Sequence, residues 1–207
     1  MPIKPNIRSG AVDWTGENPG MLFKKNGQEE WCTLMLFFRV AWSPAGAGNM
    51  LMLLEDPYLN NVSSDNYNLI MADNEALRDY IQSGFIEKLG TFCEPPGYSA
   101  AQYFKIETVV SDGDPMGDFY SEYIEGGGFK IKLVWKDFSQ HTALELPQEL
   151  TGTGEHTMYS LLVDAKSAFI EVNGRRSEGF PVAREQAGLK LSTSFLYFSE
   201  TWIFPDI

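Results

Sequence analysis

Along residues 31–42, "WCTLMLFFRVAW", both alternating sets of positions are apolar: Leu34, Leu36, Phe38 and Val40 form one, Met35 and Phe37 the other. Successive side chains of an extended segment point to opposite faces, so a strand with this pattern is covered on both. "MLMLLE" at 50–55 reads as its return strand across the loop "SPAGAGN". Over 73–89 the period becomes helical. Leu77, Ile81, Phe85 and Leu89 fall four apart and make one apolar stripe, which predicts a helix able to cover one face of 34–42. Asp73 is the expected N-cap, Gly90 the residue just past the end, and Gly84 a weak point in the middle.

From residue 101 onward the period is two. Strands are predicted at 102–110, 118–124, 129–138, 142–146, 156–163 and 167–173, and at 189–204 as one long strand or two short ones. The segment 129–138 alternates most cleanly, with Phe129, Ile131, Leu133 and Trp135 against Lys130, Lys132 and Lys136. Asn173–Gly174 marks a tight hairpin turn. Residues 1–30 are polar and broken by Gly and Pro, which suggests an irregular lead-in or a weak first hairpin around Asn26–Gly27. No repeat or linker divides the chain. The expectation is a single β-rich domain over 1–207, mainly β, with about ten strands and one substantial helix in an antiparallel barrel-like or sandwich arrangement.

Composition adds to this picture. The 207 residues are 14% aromatic, enough for a sizeable core, and 19 Gly with 11 Pro suit many short elements joined by turns. A formal charge of −12 sets aside nucleic acid and anionic membrane surfaces as partners. "MPIKPNIRSG" carries no apolar core of a secretory signal, and the longest apolar run is too short to span a bilayer and includes Arg39. Cys32 and Cys93 match no metal or redox spacing, so a cytoplasmic chain with two reduced, buried thiols is expected. Nothing in the sequence fixes an oligomeric state or a cofactor, and no residue pattern resembles a known family closely enough to name one.

Candidate chemistry is sparse. "SDGDPMGDFYSEYIEGGG" at 111–128 places Asp112, Asp114 and Asp118 at the first, third and seventh positions of a possible calcium loop. Met116 and Tyr123 stand where oxygen ligands belong, so the stretch reads first as the connection between two strands, with a cation site as the alternative. The two histidines, His141 and His156, both precede Thr at a strand start. With Glu155, or with Glu145 as a further carboxylate, they are the candidate acid–base or zinc-binding groups of a hydrolase, lyase or isomerase. Arg39 stands out because a cation inside an apolar strand needs a partner, either a structural carboxylate or an anionic group on a ligand. Trp42, Tyr103, Tyr123, Trp135 and Tyr159 could line a pocket, with Arg175 facing inward from the 173–174 turn. These residues favour a small-molecule-binding protein with an aromatic-lined pocket and an anchor for an anionic group. An enzyme on the same fold and a non-catalytic interaction module are the alternatives.

Overall fold

A computed structural model describes residues 10–60, 66–139, 141–186 and 188–206. The irregular N-terminal expectation therefore lies partly outside the described residues. The part that is described forms strands β1 (Ala11–Glu17) and β2 (Gly20–Lys24). They are followed by β3 (Trp31–Trp42), β4 (Gly48–Leu54), β5 (Asn68–Ala72) and helix α1 (Glu75–Gly84). Short helical turns over 86–99 lead to β6 (Gln102–Lys105), β7 (Thr108–Gly113), β8 (Phe119–Gly126), β9 (Phe129–Phe138) and β10 (Thr142–Leu146). The chain continues through β11 (Thr157–Val172), β12 (Arg175–Arg176), β13 (Phe180–Pro181), β14 (Ala183–Gln186) and β15 (Leu189–Ser192) to β16 (Ser194–Phe204).

The strands follow the path β6-β5-β4-β3-β1-β16-β11-β9-β8-β7, with β14 and β15 as a separate hairpin. Among the described strands the β5–β6 pair is parallel and the others are antiparallel. β11 turns the corner between two layers. Its first half pairs with β16 and β10, and its second half with β9. The strands predicted at 156–163 and 167–173 are thus one continuous strand that changes partners.

The doubly apolar pattern of 31–42 has the predicted consequence. Leu34, Leu36, Phe38 and Val40 pack in a cluster with Leu77, Ile81 and Phe85 of the helical segment. Met35 and Phe37 pack in a second cluster with Ile131, Leu133 and Trp135 of β9. Each side chain of this size taken fully out of water contributes about 1.5–3 kcal/mol, so β3 is the element on which both cores depend. The result is a mainly β single domain, sandwich- and barrel-like, with one substantial helix.

Two details of the helix differ from the prediction. Asn74, not Asp73, is the N-cap: its side-chain oxygen accepts from the Leu77 amide at 3.2 Å. Asp73 is occupied by the Asn49 backbone and side-chain amides at 2.8 and 2.7 Å, which ties the helix start to β4. The helix also ends at Gly84 and does not reach Leu89. At the other predicted turn, Asn173 (φ 52°) and Gly174 (φ 80°) adopt the left-handed pair that a two-residue hairpin needs. Cys32 and Cys93 are unpaired, as expected, but only partly buried, with Cys32 packed against the margin of the second cluster. Among the described residues no helix is long and apolar enough to cross a membrane.

Candidate functional site

Arg39 continues the Met35–Phe37 face of β3, so it points at the second layer. There its guanidinium donates to Glu122 (2.8 Å), Ser111 (2.8 Å) and Tyr120 (3.4 Å), and on its own layer to Glu17 (2.7 Å). Glu122 is fully buried and also accepts from Tyr120 Oη at 2.6 Å. Burial pushes the Glu122 carboxyl up, against the lowering effect of the Tyr120 hydrogen bond and of Arg39. Burial and then the Glu122 charge push the Tyr120 phenol up to about 12. This is a clamp between layers, and its Nη1 and Nη2 groups are engaged by protein oxygens. Arg175 is committed in the same way, to the buried Glu55 at 2.6 Å, which also accepts from Ser177.

The aromatic candidates do not converge. Trp135 is wholly buried in the core and donates to the Gly20 carbonyl. Trp42 is exposed at the end of β3, and Tyr103 is exposed on the edge strand β6 beneath Arg78. Tyr123 is half-buried and donates to Glu125 at 2.7 Å. The histidines also serve separate places. His141 sits 3.2 Å from the Pro115 carbonyl, beside the 113–118 turn. That turn is a connection between strands, closed by Asp114 Oδ1 accepting from the Met116 amide and Asp114 O from the Gly117 amide. Among the described residues no group of three or more His, Cys, Asp or Glu side chains is arranged to hold a metal ion. A cleft of about 770 Å³ lies between this turn and Asp137, Phe138, Ser139 and His141, and half of its lining is the turn itself.

A second cleft, of about 600 Å³, lies on the outer face of β1, β10, β11 and β16, where rigid strands supply the walls. Its origin is a bulge. Tyr159 of β11 pairs with Thr201 and Leu161 with Phe198, so Ser199 and Glu200 together oppose Ser160. The extra residue reverses the alternation of β16. Before it, Phe195 and Tyr197 face the helix-side core; after it, Trp202 does. Ser199 stands on the outside with a φ of 50°, a left-handed conformation that is rare for serine and held here by the flanking pairs. Val12, Tyr159 and Leu161 expose 39%, 37% and 41% of their surface around it, and Ile203 forms part of the floor. Of the predicted ligand-binding residues, Tyr159 is the one that lines this cleft.

Behind the bulge, Glu200 is buried and accepts from Trp202 Nε1 at 2.6 Å and, more weakly, from the Asn18 amide at 3.4 Å. With no cation bonded to it among the described residues, burial pushes its carboxyl up to about 7, against both hydrogen bonds. β1 carries a matching bulge. Val12 pairs with Ile203 and Trp14 with Trp202, which leaves Asp13 as the extra residue. Asp13 points inward and accepts from Tyr80 of α1 and from His156 Nε2, the latter at 3.0 Å. Glu155, named beside His156 from the sequence, is instead exposed and paired with Lys88. Asp13, Ser199 and Glu200 were not found from the sequence because a bulge shifts which alternate positions share a face and leaves no compositional mark.

No family model, no curated protein and no solved structure matches this chain.

Proposed function

We propose that this domain binds a small, partly apolar molecule in the cleft over the β16 bulge. The observation that carries the reading is the coincidence of exposed apolar side chains on rigid strands with a strained serine at the same spot. Pockets for small ligands combine apolar walls with a few fixed polar groups, and bulges recur where a strand must present a side chain to a site. An anionic anchor at Arg39 fits less well, because four protein oxygens already surround its guanidinium. Among the described residues Glu145 is the one charged side chain lining the cleft, and the chain carries a net charge of −12, which favours a ligand that is neutral or bears a cationic group.

The test uses a neutral aromatic fluorophore, N-phenylnaphthylamine. Its emission should rise saturably on titration with the wild-type protein. Leu161→Glu removes an exposed apolar wall without disturbing the core, and should weaken binding by about 10–100-fold, the equivalent of losing one buried leucine contact. Unchanged affinity in Leu161→Glu would place the ligand elsewhere. Emission that never saturates would favour an interaction surface over a pocket.

A further inference from the structure

Residues 151–156 lead into β11 and lie against the segment that follows α1, where Glu155 pairs with Lys88 and His156 packs on Phe85. His156 is 1% exposed and packed against Phe204, Phe85 and Trp202, with ring centroids 4.2, 5.2 and 5.7 Å away. Its two ring nitrogens have different partners. Nε2 faces Asp13 Oδ2 at 3.0 Å, and Nδ1 faces the hydroxyl of Thr153 at 2.8 Å. A carboxylate only accepts, so Asp13 requires the proton on Nε2. Neutral His156 then presents the Nδ1 lone pair to Thr153, whose hydroxyl must donate. Tyr80 holds the other oxygen of Asp13, and the Asp13 bulge and the aromatic walls fix the imidazole plane. Asp13 is 5% exposed, whereas Thr153 is half-buried and borders solvent.

A hydroxyl in contact with a base that a third group orients is the arrangement of an activated nucleophile. We infer that Thr153 is a nucleophile toward small activated esters, with His156 as general base and Asp13 as the residue that positions it. Thr153 Oγ1 attacks the ester carbonyl carbon while its proton passes to His156 Nδ1. Collapse of the tetrahedral adduct breaks the bond to the leaving oxygen, which takes the proton from His156. The product is an acyl ester on Thr153 and a free alcohol or phenol. Water, deprotonated by His156 in the same way, releases the acid and restores the threonine. This chemistry lies apart from the cleft over β16, so its failure leaves the binding proposal standing.

A small acyl group suits the place, because Thr153 is half-buried in the loop that precedes β11. Base assistance of this kind contributes about 10²–10⁴-fold. The experiment mixes the full chain with p-nitrophenyl acetate, follows nitrophenolate release, and maps acetyl groups by peptide mass spectrometry. A burst approaching one equivalent per chain is expected, with acetyl on the peptide carrying Thr153. Thr153→Ala should abolish that burst and the label, and Thr153→Ser should keep both. Asp13→Asn should slow the burst by about 100-fold while circular dichroism stays native. If Asp13→Asn unfolds, the Thr153→Ala and Thr153→Ser pair decides alone. Acetyl found only on lysines or the N-terminus, or an unchanged burst in Thr153→Ala, would overturn the inference.

Discussion

Arg39→Ala should destabilise the fold by about 3 kcal/mol, read as a lower midpoint in urea denaturation followed by circular dichroism. The substitution leaves Glu122 fully buried with only Tyr120 and Ser111 as hydrogen-bond donors. A buried charge that loses its partner costs more than the intact pair contributes, because desolvation is no longer offset. Arg39 itself is 30% exposed, so solvent screening keeps the loss at the lower end of the usual range. The deficit should depend on pH. Burial already holds the folded-state pKa of Glu122 above its unfolded value, and loss of Arg39 raises it further. Its contribution is therefore favourable at low pH and lost as pH rises through the folded value, so the deficit should be larger at pH 8 than at pH 5. Glu122→Gln placed on Arg39→Ala should recover much of the loss. A variant of wild-type stability with impaired ligand binding would instead make Arg39 a ligand anchor.

Glu200→Gln should stabilise the protein at pH 8 and have little effect at pH 5. Burial sets the folded-state value of Glu200 near 7, above an unfolded value near 4.5. A raised carboxyl favours folding fully below the unfolded value, and that contribution is lost as pH rises through the folded one. Above pH 7 the shift amounts to about 3 kcal/mol against folding. Glutamine keeps an oxygen for Trp202 Nε1 and adds an amide that can donate to Asn18 Oδ1, which has no hydrogen-bond partner among the described residues. For a chain of this size the gain corresponds to an increase in melting temperature of roughly 6–12 °C at pH 8. A gain of equal size at pH 5 and pH 8 would show that the carboxyl is not the group titrating.

The parts of the fold read correctly from the sequence are those decided by local alternation. β3, β9 and β10 have the predicted bounds, and the two-sided apolar pattern of β3 identified the strand that separates two cores. The reading weakened wherever a distant partner decides. β1 was taken as irregular because its pairing strand β16 lies at the far end of the chain and its alternation is interrupted at Asp13. The N-cap was placed one residue early because Asp73 is engaged by β4, a contact that spacing cannot show. Arg39 was marked as unusual, but its partner was not named. The clue was available: Glu122 stands between Tyr120 and Ile124 at inward-facing alternate positions of β8. The aromatic residues could not be sorted from sequence, since core Trp135 and exposed Tyr159 occupy equally plausible strand positions.

The placement of the binding site is tested most directly by amide chemical-shift mapping during titration with N-phenylnaphthylamine. Perturbations confined to residues 10–12, 143–145, 159–161 and 199–203 are predicted, saturating together with a single affinity. Perturbations centred on the Arg39–Glu122 clamp, or on residues 115–118 with 137–139 and His141, with the residues around Ser199 unmoved, would contradict it.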